Sequence, residues 1–311
     1  MKKRKHNRYL LFGLFIFLGG VSACASSDEA ELVNTQTSSI KSISKIVLDY
    51  DADDVVIKDS EDNRLILKEY LSKDKRKYYS TLKKRDQTLS IKEGKRPLGS
   101  SFKSKMVLYL PKNYDKQLQI HSTSGKIDMD VTNKSLAALS LDTTSGQING
   151  EKLNAENLTL TTTSGKISGD AFIAQEKVRL KSTSGEIELS SLKATEIDLQ
   201  TTSAETNLES VNGQVSYETK SGNFAVSTLS GSGSFTASGE GRIEIKIKRL
   251  SEDLSAFSKN GNVKISLPKT QSIALALKTK EGKIKNKYDE KSKDGKPQIK
   301  VETRNGDITI D

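Results

Sequence analysis

The chain has 311 residues, 34% hydrophobic side chains and a formal net charge of +10. With one Cys and two His, it can form neither an intramolecular disulfide nor a zinc site of four Cys or of two Cys and two His. The low hydrophobic fraction and the abundance of Gly, Ser and Thr favour an elongated β architecture or a partly disordered chain over a compact enzyme.

The first 23 residues have the order of a secretory signal. A basic head precedes the apolar run Tyr9–Leu18, and small residues then lead to the tetrapeptide Val21-Ser22-Ala23-Cys24. This tetrapeptide resembles a bacterial lipobox, which predicts signal cleavage between Ala23 and Cys24 and lipidation of the Cys24 thiol. A signal peptide with a chance Cys, or an uncleaved anchor helix, is the alternative.

The segment that follows is predicted to be a tether. Residues 25–39 are polar, mildly acidic and aperiodic, so we assign residues 24–42 to the lipidated Cys and a flexible linker. An ordered first strand is the alternative. Removing residues 1–23 takes away five positive charges and no negative ones, which leaves +5 and argues against a nucleic-acid partner.

A repeat of about 20 residues runs through the rest of the chain. Ser124-Gly125-Lys126-Ile127 recurs three times in closely similar form, and weaker copies continue to Asn305-Gly306. Apolar residues recur seven and five positions before the Gly and two positions after it, which places them on one face of two strands joined by a tight turn. The predicted turn positions are Gly125, Gly146, Gly165, Gly185, Gly222, Gly261, Gly282 and Gly306.

No single unit has enough apolar surface to bury alone, so stacking is required. We therefore predict an all-β chain with a parallel β-solenoid of about ten coils over residues 118–311, preceded by a β-rich part at residues 43–117. An antiparallel meander of hairpins is the alternative. Near Gly231–Gly241, alignment on Gly239 puts Ser232, Ser234 and Gly241 in core columns. This predicts a bend, groove or hinge, or a narrow coil filled by Phe235 and Ile243.

The repeated Thr-Ser-Gly-x-Ile units resemble the bacterial adhesin-like β-solenoid family, a domain of unknown function in cell-envelope proteins. The preceding segments Ile43–Ile57, Leu89–Ile91 and Met106–Pro111 are also similar to that family's leader strands. The resemblance covers roughly residues 43–311. It implies a surface or envelope-stress role and supplies no catalytic residues.

Two charged clusters are candidate sites. Glu186, Glu188 and Glu205 fall at outward positions of adjacent coils and could serve a polysaccharide lyase or hydrolase, although the nearby Lys166 is typical of a solvated face of mixed charge. The densest basic stretch could contact an anionic surface, or it could be an exposed loop. Its basic residues are Lys73, Lys75, Arg76, Lys77, Lys83, Lys84 and Arg85.

Together these patterns predict a lipid-anchored, non-catalytic binding or structural module, adhesin-like or linked to envelope stress. We expect it on the outer face of the cytoplasmic membrane of a Gram-positive bacterium. Candidate partners besides the membrane are cell-wall polymers, anionic lipid and another envelope protein. No metal and no cofactor are predicted. The polysaccharide-active enzyme remains the alternative function.

Overall fold

The computed structural model of the chain describes residues 29–97, 102–132, 134–288 and 297–311. Ala23 and Cys24, with the predicted signal, lie outside the described residues. Within those ranges the only helical element is the 3-10 turn Arg76–Tyr78. Successive units pair in parallel along their length, as in Leu158 opposite Val178 and Val178 opposite Ile197. The predicted parallel β-solenoid is therefore confirmed, and the antiparallel meander is excluded.

The strands follow one another with short turns. The first seven are β1 (Glu31–Ser38), β2 (Lys45–Tyr50), β3 (Asp54–Ser60), β4 (Leu65–Leu71), β5 (Thr81–Arg85), β6 (Thr88–Lys92) and β7 (Ser104–Pro111). The next seven are β8 (Gln117–Ser122), β9 (Ile127–Asp130), β10 (Leu136–Thr143), β11 (Ile148–Thr162), β12 (Ile167–Ser182), β13 (Ile187–Thr201) and β14 (Thr206–Thr219). The last seven are β15 (Phe224–Ala237), β16 (Ile243–Ser258), β17 (Val263–Ser266), β18 (Ala274–Thr279), β19 (Ile284–Asn286), β20 (Gln298–Thr303) and β21 (Ile308–Ile310).

Inward columns of apolar side chains form the core. The three predicted columns lie on both sides of the turn and are solvent-excluded: Ile127, Ile148, Ile167 and Ile187 after it, and before it Leu141, Leu160, Leu180 and Leu199 together with Leu139, Leu158, Val178 and Ile197. A fourth column runs along the return strand through Leu153, Phe172, Leu192, Val211 and Leu229. Each such side chain contributes roughly 1.5–3 kcal/mol on burial, so stability accumulates coil by coil.

The turn glycines lie in a stack that leaves no space for a side chain. A Cβ atom on Gly165 would lie 1.7 Å from the carbonyl oxygen of Gly146, and one on Gly185 would lie 1.9 Å from that of Gly165. Three residues before the Gly is a buried hydroxyl, and the Oγ1 of Thr162 accepts a hydrogen bond from the Gly165 N–H at 2.8 Å. We call this arrangement the turn stack.

One unit is built differently from the alignment on Gly239. The Cβ position of Gly261 faces the carbonyl oxygen of Gly241, so Gly241 is the member of the turn stack in that unit. The core columns are therefore filled by Gly233 and Phe235, while Ser232 and Ser234 point outward, which corrects the prediction for these residues. Aromatic rings fill the narrow coil: the ring of Phe224 lies 4.5 Å from that of Tyr217 and 5.2 Å from that of Phe235.

The predicted flexible tether is wrong for residues 31–38. They form β1, which pairs antiparallel with β4 from Glu31 opposite Leu71 to Ser38 opposite Leu65. The strand lacks an apolar alternation because it lies at the surface, where its backbone hydrogen bonds to β4 stabilise it more than burial does. The first described strand therefore starts seven positions after the predicted lipidation site.

Both ends of the solenoid depart from the order of the chain. The last unit, β20 and β21, lies between the coil of β16 and β17 and the coil of β18 and β19. At the other end β2 and β3 lie between the pair β6 and β7 and the pair β8 and β9. The segment before Gln117 thus continues the same stack, and the C-terminal strands β20 and β21 are held between neighbours, where they fray less.

The turn stack gives a direct stability prediction. Gly165→Ala should lower the free energy of unfolding by about 1–3 kcal/mol, because its methyl group would overlap the backbone of the preceding turn. Ser164→Ala is the matched control, since Ser164 is exposed in the same turn. Urea unfolding followed by circular dichroism measures both. Equal midpoints for the two variants would contradict the steric role of the glycine.

Candidate functional site

One lysine pairs with two of the three carboxylates of the predicted acidic cluster. Lys166 Nζ lies 3.1 Å from Glu186 Oε2 and also forms a short ion pair with Glu188, and these contacts raise the pKa of Lys166. Glu205 instead accepts a hydrogen bond from Asn207 at 3.2 Å. Lys166 therefore holds two of the three carboxylates in one exposed ion-pair cluster, which is the mixed charge expected of a solvated face.

The same pattern of paired charges extends along the outer surface of the coils. Lys177 and Glu196 lie opposite each other on β12 and β13 with their charged atoms 3.0 Å apart, and Arg179 and Asp198 do the same at 3.0 Å. Partly exposed pairs of this kind contribute about 0–1 kcal/mol each. They describe a solvated ladder of side chains rather than a reactive centre.

The predicted basic stretch forms one end of the solenoid. All seven basic residues are exposed, and among the described residues none of them forms an ion pair with a carboxylate. β5, which carries three of them, is the edge strand beyond β6. We call the set Lys73, Lys75, Arg76, Lys77, Lys83, Lys84 and Arg85 the basic cap.

The tyrosines inside this stretch are engaged by the protein itself. Tyr78 is buried and packs edge-on against Phe102 with the ring centroids 5.1 Å apart. Tyr79 is half-buried, and its hydroxyl donates a short hydrogen bond to Asp74. Neither ring is free to stack on a ligand, so the basic cap presents positive charge rather than an aromatic surface.

The chain enters the fold beside the basic cap. β1 lies against it: Gln36 Nε2 donates to the Ser80 carbonyl at 2.8 Å, and Lys84 Nζ donates to the Ser39 carbonyl at 2.6 Å. Glu31, the first residue of β1, pairs with Leu71, two residues before Lys73. Strand β1 and the basic cap therefore share one end of the molecule.

A buried charge cluster closes the turn at this end. The turn at residues 51–53 is the first of the turn stack, since the Gly125 Cβ position faces the Asp53 carbonyl. The Glu93 carboxylate accepts hydrogen bonds from the backbone N–H groups of Asp51, Ala52 and Asp53 at 3.0–3.3 Å. Arg96 Nε in turn donates to Asp53 Oδ1 at 2.8 Å. Sequence reasoning missed Glu93, because no local pattern marks a residue that acts on a turn 40 positions earlier.

This cluster holds two carboxylates and one guanidinium, so one negative charge is left over. Burial, and next the negative charge of Asp53, raise the pKa of Glu93 to about 7. Elsewhere in the described ranges, no three His, Cys, Asp or Glu side chains converge as metal ligands do. The described residues also contain no helix with the length and apolarity that a membrane crossing requires.

Comparison with known proteins identifies the family. The model of the Toastrack DUF4097 family matches residues 43–228 and again residues 178–311. The chain belongs to the Toastrack DUF4097 family. This agrees with the resemblance inferred from the repeats, and the two matches overlap because neighbouring Toastrack coils are alike. No curated protein matches the chain.

Several solved structures are similar to this Toastrack chain. A "putative adhesin" from Parabacteroides distasonis ATCC 8503 is 14% identical, covering 89% of this chain and 96% of that one, with a TM-score of 0.42. A "putative adhesin" from Bacteroides fragilis NCTC 9343 is 15% identical over 89% and 95% of the two chains, with a TM-score of 0.40. A "putative lipid binding protein" from Parabacteroides distasonis ATCC 8503 is 14% identical over 89% and 96%, with a TM-score of 0.34. Identities of this size carry no inference about a ligand.

Glu93 gives a prediction for the pH dependence of stability. The pKa of Glu93 is about 7 in the folded chain and about 4.3 in the unfolded chain. Between pH 4.3 and pH 7 the folded state therefore carries a proton that the unfolded state has lost. Stability should therefore fall by about 1–3 kcal/mol as pH rises from 4.5 to 8. Glu93→Gln should remove this slope, because an amide does not titrate in that range.

Urea unfolding at pH 5, 6, 7 and 8 measures the effect as the difference between wild type and variant. Glu151→Gln, at an exposed position of the solenoid, is the control and should keep the wild-type slope. An unchanged slope in Glu93→Gln would show that another group carries the pH dependence.

Proposed function

We propose that this protein is a lipid-anchored, non-catalytic binding module of the bacterial cell envelope, held on the outer face of the cytoplasmic membrane through Cys24. The observation that carries the proposal is the position of the basic cap. Seven cations without carboxylate partners among the described residues lie at the end where the chain enters the fold. An anchored chain would bring that end to the membrane first.

The distance between anchor and fold supports this orientation. Seven residue steps separate Cys24 from Glu31, which at full extension span at most about 25 Å. The basic cap would therefore stay close to the lipid headgroups. Each Lys or Arg near an anionic membrane surface is worth about 1 kcal/mol, so several together would orient the solenoid with its far end pointing away from the bilayer.

The outer surface of the solenoid supports binding over catalysis. The carboxylates of Glu186 and Glu188 are both paired with Lys166, as expected of a solvated face of mixed charge rather than of a glycan-cleaving site. A polysaccharide-active enzyme is therefore the weaker candidate.

Lipid anchoring is tested on the predicted thiol. Cys24→Ser should abolish metabolic labelling with an alkyne fatty acid and impair cleavage after Ala23, because Ser provides no thiol for the lipid. The single-site change Ser26→Ala, two residues away, is the control and should be labelled like wild type. Persistent labelling of Cys24→Ser would refute anchoring at this residue.

The orienting role of the basic cap is tested on vesicles. In the Cys24→Ser background, the triple variant Lys75→Gln, Lys83→Gln and Arg85→Gln should sediment at least ten-fold less well with vesicles of 30% anionic lipid. The upper limit of the effect is the loss of about 1 kcal/mol of membrane affinity for each of the replaced cations. The matched control replaces the exposed solenoid residues Lys152, Lys193 and Lys220 by Gln. If both triple variants lose binding equally, net charge and not the basic cap is responsible.

A further inference from the structure

The corner between the return strand and the next strand is shortened in two neighbouring coils. In β11, β12 and β13 the inward residues on either side of this corner are five or six positions apart, as from Leu192 to Ile197. In β14 and β15 they are four apart, from Val211 to Val215 and from Leu229 to Gly233. In β16 the corner lengthens again and residues 251–253 bulge outward.

Glycine makes the short corners possible. Gly213 and Gly231 have φ angles of +148° and +154°, a region that side chains strongly disfavour. A Cβ atom on Gly231 would also lie 1.9 Å from the carbonyl oxygen of Gly213. The two corners therefore pack backbone on backbone, and the surface above them is recessed.

The recess is an open groove with walls on both sides. Its larger part, about 960 Å³, lies between the coil that carries Glu196 and the bulge at Glu252. A second part of about 580 Å³ continues around the corner and shares Gln214 and Ser232 with the first. Three strand spacings separate the walls, or roughly 14 Å. We call the two parts together the corner groove.

One side chain of the groove floor is free to bind a ligand. Ser232 is only 3% exposed, its hydroxyl forms no hydrogen bond within the described residues, and it lines both parts of the groove. The exposed remainder of this side chain therefore faces the groove, where its hydroxyl can donate to or accept from a bound group. The exposed neighbours Gln214 and Ser216 add further donors and acceptors beside it.

The charges and the backbone of the groove narrow the class of ligand. Across both parts, the four carboxylates of the groove are nearly balanced by Lys177, Lys248 and Arg249, so the groove offers an anionic polymer little net attraction. The strands of the floor, in β14 and β15, are hydrogen-bonded on both edges, so an extended peptide could not pair with them. Hydroxyl, amide and carboxylate groups suit an uncharged ligand with many hydroxyl groups.

We propose that the corner groove binds an uncharged glycan strand, with Ser232, Gln214 and Ser216 contacting its hydroxyl groups. This rests on the proposed function only in that the protein is a binding module. The ligand would lie across the coils midway along the solenoid, away from the basic cap. A membrane-anchored chain would then hold a glycan at a distance from the bilayer.

The test is calorimetric titration of the full chain in detergent micelles with cellotetraose and chitotetraose. Ser216→Trp should fill the groove and weaken binding at least ten-fold, and Ser232→Ala should weaken it about five-fold through one lost hydrogen bond. Ser140→Trp is the matched control, since Ser140 occupies the same outward column as Ser216 on a coil outside the groove. It should bind like wild type.

Three outcomes would overturn the proposal: no binding of either tetrasaccharide at millimolar concentration, binding that Ser216→Trp leaves unchanged, or groove-dependent binding of only poly(glycerol phosphate) or a decapeptide pool. The titration uses no membrane, so it is independent of the anchoring and vesicle experiments. Absence of glycan binding in this titration would not contradict the proposed lipid anchoring. Conversely, glycan binding can still be measured in Cys24→Ser, which lacks the anchor.

Discussion

The close approach of one turn to the next is the constraint on which the rest of the solenoid depends. Where a turn carbonyl lies about 2 Å from the Cβ position of the following glycine, only hydrogen fits between the two coils. That contact fixes the axial register of each coil on its neighbour, and with it the register of the strands on both sides of the turn. The apolar columns then align, because each inward residue is a set number of positions from the turn.

The repeated units made this part of the fold predictable. The aliphatic residues around Gly125, Gly146, Gly165 and Gly185 recur at constant offsets, so one alignment identifies turn, strands and core together. The prediction went wrong where the offset changes. By sequence, both Gly239 and Gly241 fit the turn position. Only the contact between Gly241 and Gly261 shows that Gly241 occupies it. β1 was missed because its partner is β4, a contact that leaves no periodic trace in a polar surface strand.

Chain order at the two ends could not be read from the repeat, because every copy fits beside every other. Placing β20 between β16 and β18 keeps the chain terminus away from the exposed edge, and the loop that this requires costs little extra entropy. At the opposite end a side chain takes the place of a further turn. Glu93 supplies to the first turn the acceptors that a preceding turn would have supplied through its carbonyls, and it does so with a charge that must be buried. Burial raises the pKa of Glu93, so the stability of this end of the stack should depend on pH.

The same constraint explains why function should be sought where the repeat is broken. A regular coil presents paired charges such as Lys177 and Glu196, which satisfy one another and leave little for a ligand. Shortening the corner at Gly213 and Gly231 keeps the core continuous while it removes the outer layer of side chains above two coils. The hydroxyl of Ser232 then faces the groove without a hydrogen-bond partner among the described residues. A corner that is four positions long instead of five or six thus creates a groove, while the core columns of β14 and β15 continue without a break. In this way a repetitive scaffold can carry a specific surface.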